Sequence, residues 1–470
     1  MPTKPVIFIP GFPASKLLQT STNRTIFPPS IGDLLDGDKR RALIALLKGP
    51  DNPPGDIVAG EPIRDILGIA KQAQALYDIL SGRYGYTIPG GDNFRPVGWD
   101  WRLAVDDPAV QAGALAAIRA LRAANGGARV VVIAHSTGTL VARRLLETSP
   151  EAVDGIAQVI ALGATWAGVP GMVHGLVEGE AMGFPPAGFT AEEVRGVLQS
   201  AQAPYDLFPP DPAKTALTTP GGRPLGLVVD DGGQQVGPLI DLRWAASAEN
   251  PALIADHAGK ADRRMGARTS AIAIPGGAPT PPITNVAGWG VETFTQCVMH
   301  AQGNLTYSTS KFGDGTTAAA SASWLRGTSV RTFFLPIGVY PTNGIPTVHS
   351  RIWDAPPVLD LFDQVLLDSP PAPFVCAAAD SSEMIDHESD VTLRLTAADG
   401  NGGALPDAQV LLQGIATKPA SFGGAVRMEN RVPRAAIHPN AQGLFRFVAE
   451  VSWAAAGGRE KVPLVVLLKS

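Results

Sequence analysis

Val130-Val131-Val132-Ile133-Ala134-His135-Ser136-Thr137-Gly138-Thr139-Leu140-Val141-Ala142-Arg143-Arg144-Leu145-Leu146-Glu147 is the stretch whose reading decides the fold. Four consecutive aliphatic residues read as a parallel strand buried on both faces. Leu140, Val141, Arg144 and Leu145 then recur at helical spacing, so strand gives way to helix within five residues. A serine on so tight a corner, at Ala134-His135-Ser136-Thr137-Gly138, projects its hydroxyl from the strand end toward the helix N-terminus. This is the geometry of a nucleophile elbow, usually written G-x-S-x-G. Small residues are needed two before and two after the serine, because strand and helix backbones nearly touch there; Ala134 is small, though not glycine. The blander reading is a serine that merely caps the helix.

Upstream, Pro5-Val-Ile-Phe-Ile-Pro10 reads as an apolar strand running into Gly11-Phe12-Pro13, a turn that presents backbone N–H groups at the strand's carboxyl end. Helical patterns are expected over Arg40–Leu47, Ile69–Leu80 and Val110–Ala124, the last closed by Asn125-Gly126-Gly127. The next strand is Ala157–Leu162. Strands alternating with helices predict an α/β fold with a doubly wound, mostly parallel sheet. From about 171 to 280 the periodicity loosens, with one helical piece near Glu192–Gln199, and this segment is expected to form a cap over the strand ends. Further strands are expected at Ala271–Pro275, Pro282–Ala287 and Val330–Leu335, and a helix at Val358–Leu367. The Pro-rich run Asp368–Pro373 marks a linker, placed at 371–374, between a catalytic unit (1–370) and a β-sandwich (375–470). Strand patterns at Val391–Thr396, Gln409–Leu412, Gly443–Trp453 and Val462–Leu468 support the latter.

With 470 residues the chain has room for a large core and a satellite, and 45% hydrophobic residues argue against disorder. A net charge of -5 with 17% charged residues leaves no electrostatic footprint for nucleic acid. Two cysteines, Cys297 and Cys376, make neither a disulfide framework nor a zinc site, and no metal-ligand spacing or cofactor loop is visible. The N-terminus lacks a charged region followed by an apolar stretch, so a cytoplasmic location is expected if the chain is complete, and secretion if a leader was removed. Nothing in the pattern speaks for a particular oligomeric state.

A serine nucleophile of this kind takes its acid and then its histidine later in the chain. His174 and His257 come before the last sheet strands, and His387 and His438 fall in the β-region. His300 has no acidic residue on a recognisable turn before it. His349 follows the strand 330–335 and precedes the helix 358–367, where a catalytic base is expected. Asp314, in Gly313-Asp314-Gly315, is the acid candidate on a neighbouring loop. In this reading His349 takes the Ser136 proton, Asp314 holds the tautomer, and the N–H groups of Phe12 and Thr137 receive the oxyanion. The competing readings are an Asp-Gly turn and a surface histidine. Trp99, Trp101, Trp166 and Trp289 are candidates for lining an acyl pocket, with core packing the stronger reading for most of them. Asp100 and Arg102 read as a structural ion pair.

Five motifs in order, PVIFIPGFPAS (5–15), GWDWR (98–102), AHSTG (134–138), LGATWAG (162–168) and GDGT (313–316), resemble the lecithin:cholesterol acyltransferase-like family. That family's patterns are PVILVPG, PYDWR, GHSMG, LGAPWGG and GDGTV. Ala203-Pro-Tyr-Asp-Leu-Phe-Pro209 is also similar to a cap-region segment of the family. The resemblance covers roughly residues 5–370, with departures at Ala134 for Gly, Thr165 for Pro and Thr317 for Val. It implies an α/β-hydrolase fold with Ser136, Asp314 and His349 as triad and Phe12 and Thr137 as oxyanion donors. The expected activity is transfer of an acyl group from a lipid or other carboxylic ester to water or an alcohol. Transient lipid-surface contact is expected through the cap. A small-ester carboxylesterase and a non-catalytic binding protein on the same fold are the alternatives.

Overall fold

The computed structural model describes residues 4–48, 56–66, 70–71, 73–88, 90–179, 189–208, 228–230, 251–266, 269–300, 304–310, 313–337, 341–342 and 345–367, and strand backbone within 374–469. Its centre is a six-stranded sheet built from β1 (Val6–Ile9), β2 (Phe94–Pro96), β3 (Val130–His135), β4 (Ile156–Leu162), β5 (Ile283–Trp289) and β6 (Val330–Pro336). The spatial order is β6-β5-β4-β3-β1-β2, and every neighbouring pair is parallel. This is the α/β-hydrolase core.

Successive side chains of each strand feed opposite layers. Ile7, Ile9, Val130, Val132, Ala134, Val159 and Ala161 pack in one layer with Val110, Ala114, Ile118 and Leu121 of the helix Pro108–Ala124. Val6, Phe8, Val131, Ile133, Ile160 and Leu162 pack in the other with the helices Ala73–Tyr84 and Pro356–Leu367. Residues 130–133 are all fully buried, and burying one Val or Ile is worth roughly 1.5–3 kcal/mol. The unbroken apolar run is therefore a consequence of helices on both faces.

Pro108–Ala124 starts with Asp107 accepting from the Ala109 N–H and Pro108 in the first turn, and ends at Asn125. The chain leaves β1 toward β2 on one side and returns to β3 on the other. The crevice between β1 and β3 at their carboxyl ends is thus the switch point where such sheets bind ligands. There the helix Gly138–Thr148 starts so close to β1 that a Cβ on Gly138 would lie 2.3 Å from the Ile9 carbonyl oxygen, which explains the small residue after the elbow.

Several expectations change. Ala271–Pro275 is not a strand, since β5 is already flanked by β4 and β6 and the Ala271 carbonyl accepts from Arg143 Nη2 at 3.0 Å. The helix expected over Ile69–Leu80 runs over Ala73–Tyr84, because Ala70–Lys71 pairs with Asp65–Ile66 instead. A small antiparallel sheet of Ser15–Gln19, Arg24–Phe27 and Ile57–Pro62 was not foreseen.

Within 171–280 the described elements include helices Ala191–Ser200, Ala203–Asp206 and Pro251–Gly266 and the strand Val228–Asp230; residues 180–188, 209–227 and 231–250 of the expected cap lie outside the described residues. Val228–Asp230 pairs with a hairpin from a different part of the chain, Thr293–Met299 and Leu305–Ser310. This three-stranded sheet is therefore assembled from two separate stretches of the chain. The last strands form two four-stranded sheets. One is ordered (374–379)-(391–398)-(432–437)-(426–429), the other (385–386)-(458–469)-(443–453)-(409–415). No helix among the described residues is long and apolar enough to cross a membrane.

The expected ion pair is present and buried. Arg102 Nε and Nη2 donate to Asp100 Oδ1 and Oδ2 at 3.0 and 2.7 Å, and Nη1 donates to the Leu46 carbonyl at 2.9 Å. A buried guanidinium stripped of its carboxylate has no solvent to compensate it. Asp100→Ala should cost about 3 kcal/mol or more in urea denaturation with an unchanged m-value, whereas breaking a surface pair such as Arg119–Glu151 should leave the midpoint nearly unchanged.

Candidate active site

Ser136 sits immediately after β3 with φ at 53°, a left-handed conformation for a non-glycine residue. That strained corner is what an elbow requires. It is pinned on both sides: the Ser136 N–H donates to the Leu162 carbonyl at 3.0 Å, and its carbonyl accepts from the Thr139 N–H at 3.0 Å and the Thr139 hydroxyl at 2.6 Å. The turn after β1, closed by the Ala14 N–H donating to the Gly11 carbonyl at 2.9 Å, stands directly against Ser136. A Cβ on Gly11 would lie 2.6 Å from Ser136 Cβ and 3.0 Å from its Oγ. The expected oxyanion donors, the N–H groups of Phe12 and Thr137, thus belong to the two segments flanking Ser136.

Asp314 and His349 are brought together although 35 residues apart. His349 Nδ1 lies 2.7 Å from Asp314 Oδ2, and the His349 backbone N–H donates to the Asp314 carbonyl at 2.8 Å. Oδ1 of the fully buried Asp314 accepts from the Thr316 and Thr317 N–H groups at 3.1 and 2.7 Å, so both carboxylate oxygens are occupied. A carboxylate only accepts when ionised, so Nδ1 is the donor in this contact, and in the neutral ring Nε2 is then the acceptor. Nε2 is buried and has no hydrogen-bond partner, so no bond to Ser136 Oγ exists in this resting arrangement. Apo sites often have such bonds long or unmade until substrate arrives.

Gly163, after β4, lies against both partners. With φ at 56° and an added Cβ placed 2.8 Å from His349 Nδ1 and 3.0 Å from Asp314 Oδ2, only glycine fits. Gly163 of LGATWAG therefore forms a wall against the Asp314–His349 pair, a placement its sequence pattern alone did not disclose.

The four tryptophans are buried. Trp99 Nε1 donates to the Pro10 carbonyl at 2.9 Å, bracing the strand end that precedes the Gly11 turn. Trp101 stacks edge-on against Phe12 with ring centroids 5.4 Å apart. Trp166 Nε1 donates to Asn285 Oδ1 at 3.2 Å, and Trp289 closes β5. Trp99, Trp101 and Trp166 are members of the main hydrophobic core. The other histidines are engaged elsewhere: His257 Nε2 with the Ser200 carbonyl, His300 Nε2 with Thr306 Oγ1, and His174 with the rings of Phe294 and Tyr307. His387 and His438 lie outside the described residues.

Against known families, residues 73–222 match the family model for lecithin:cholesterol acyltransferase. Over that span the chain is similar to the lecithin:cholesterol acyltransferase family. The matched span includes the GWDWR loop, the elbow and LGATWAG, and ends before Asp314 and His349. No curated protein sequence matches the chain. Among solved structures, the Tle4-Tli4 complex aligns at 13% identity with TM-score 0.46, covering 75% of this chain and 95% of that one. Phospholipase PlaB from Legionella pneumophila aligns at 11% identity with TM-score 0.30, over 98% of this chain and 90% of that one.

His135, the residue before Ser136 and a histidine in the pattern GHSMG as well, has no role assigned from the sequence. Its Nε2 lies 2.9 Å from the His349 carbonyl oxygen, and the two imidazole rings are 4.6 Å apart. Burial, and next the neighbouring His349 ring, hold its pKa well below the usual 6.5. The folded state therefore leaves His135 neutral, while the unfolded state takes up a proton as pH falls through about 6.5. The unfolded state binds more protons, so stability drops on acidification, by at most about 1.4 kcal/mol per pH unit from this group. Across urea denaturations from about pH 7.5 to 5.5, the stability advantage of the wild type over His135→Gln should shrink steadily; a pH-independent difference would contradict a neutral His135.

Proposed function

We propose that this chain is a serine hydrolase or acyltransferase that forms an acyl-enzyme at Ser136 from a lipid or other carboxylic ester. The observation that carries the reading is the His349 imidazole, held through Nδ1 by a buried carboxylate, with Nε2 buried and unpartnered and the ring 4.6 Å from that of His135, the residue before Ser136. That is an oriented base with its lone pair available.

In this mechanism Nε2 accepts the Ser136 hydroxyl proton as Oγ attacks the ester carbonyl carbon. The negative charge on the former carbonyl oxygen is received by the N–H groups of Phe12 and Thr137, the latter at the N-terminal end of the helix Gly138–Thr148. The imidazolium, stabilised by Asp314, returns the proton to the departing alkoxide, leaving the acyl group on Ser136. Water or an alcohol then attacks the acyl carbon as Nε2 takes its proton, and collapse breaks the bond to Ser136 Oγ, which regains the proton from the imidazolium as the acid or new ester leaves.

Support for a lipid ester comes from the name of the matching family, and support for an apolar mouth from Phe12 packed on Trp101 and Trp101 on Phe27. Of the four tryptophans, Trp101 is the one we place at the edge of the substrate path, by way of Phe12; Trp99, Trp166 and Trp289 we assign to packing. We also assign catalysis to 1–370 with the cap at about 171–280, and an accessory role to the β-region 375–470 beyond the linker 371–374.

Ser136→Ala should abolish turnover of p-nitrophenyl esters and labelling by a fluorophosphonate probe; a fully active variant would remove the nucleophile. Asp314→Asn should keep the fold and lower kcat by ~10³–10⁴, as loss of the tautomer-fixing carboxylate does elsewhere. A panel of short and long esters and phospholipid vesicles, each with and without an added alcohol, reads out the acyl donor and acceptor. Preference for the short esters alone would replace the lipid reading with a small-ester carboxylesterase.

A further inference from the structure

His135 occupies a position that the nucleophile, acid and base roles leave unused. It is the last residue of β3, paired in register with Leu162 of β4, and its backbone is therefore as fixed as the sheet itself. Its side chain points to the loop that carries the base. A carbonyl can only accept, so the 2.9 Å contact between His135 Nε2 and the His349 carbonyl is an N–H donation. The ring is wedged between the His349 ring at 4.6 Å and the edge of Trp353, 5.0 Å away at 69°. Trp353 is in turn seated edge-on against Phe8 of β1.

His349 is thus fixed at three points. Its N–H and Nδ1–H are held by Asp314, and its carbonyl by the residue adjacent to the nucleophile. The first two set the base relative to the acid; the third sets it relative to the strand that presents Ser136. We propose that His135 is a positioning residue for the catalytic base: its Nε2–H bond to the His349 carbonyl ties the base loop to the nucleophile strand, setting the approach of His349 Nε2 to the serine proton. The inference rests on Ser136, Asp314 and His349 acting as proposed above.

A packing role alone would be filled by any ring of similar size. A positioning role depends on one donor at one place. The titratable groups facing His135 are His349 and, through it, Asp314, and the ring stays neutral beside them. The imidazolium formed on His349 during reaction therefore meets no second positive charge.

The test uses the full chain with His135→Phe, His135→Gln and His135→Asn, and Ser136→Ala as control. Steady-state p-nitrophenyl ester kinetics, fluorophosphonate labelling rates and melting temperatures are measured for each. Gln carries an Nε2–H at the same distance along the side chain as His; Asn is one bond short, and Phe keeps the ring without the donor. We expect His135→Phe and His135→Asn to lower kcat and the labelling rate about 10- to 100-fold, the scale of an ångström-level misplacement, with KM within about twofold. His135→Gln should recover at least about tenfold of that loss. If His135→Phe fails to fold, the comparison of Gln with Asn carries the same test. Equal kcat for Gln and Asn, or wild-type kcat in either Phe or Asn, overturns the inference. Activity surviving in Ser136→Ala would instead overturn the underlying assignment of the nucleophile, so the two failures are distinguishable.

Discussion

The register of the parallel sheet is the constraint on which the site depends. Ile9 of β1, Ala134 of β3 and Ala161 of β4 lie side by side in one row of the ladder. Two residues beyond that row, each strand delivers one member of the candidate site: Gly11 against Ser136, Ser136 itself, and Gly163 against Asp314 and His349. Because side chains alternate with a period of two, a slip of one residue in any strand would send its buried aliphatic side chains to the opposite layer. The energy that forbids the slip is the burial of both faces, so the hydrophobic core and the chemistry share a single alignment. Asn285 extends the row into β5, where its amide is satisfied by Trp166, Ala322 and Thr332.

The carboxyl-end edge also separates two histidines that are neighbours in space. His349 faces a buried carboxylate with both oxygens occupied. His135 faces an imidazole, an indole and a carbonyl, and burial keeps it uncharged. Two identical side chains in contact thus differ in chemistry because one has an anion beside it and the other has none.

Much of this was legible in the sequence because the physics involved is local. An unbroken Val130–Ile133 run can satisfy only a strand covered on both faces, and the change to helical spacing beyond Ser136 announces a sharp corner. Asp314 and His349 could be reached from chain order and from the glycines around the acid. What stayed hidden depends on partners far along the chain. The role of His135 comes from a contact 214 residues away, and an elbow pattern accepts many residues at that place. The hairpin Thr293–Ser310 alternates with so many polar residues that it carries little apolar signal, and it becomes a strand pair by joining Val228–Asp230. Ala271–Pro275 shows the reverse error: its aliphatic alternation suits a strand, but no sheet edge is vacant beside β5.

The turn holding Asp314 is closed at its base independently of what lies between. The Val291 N–H donates to the Gly313 carbonyl at 3.0 Å, and Thr293 Oγ1 accepts from the Gly315 N–H at 2.8 Å, so the chain leaves and re-enters at a fixed gate. The Asp314 turn is therefore anchored to the segment just after β5, so the alignment of the sheet reaches Asp314 through hydrogen bonds as well as through the chain.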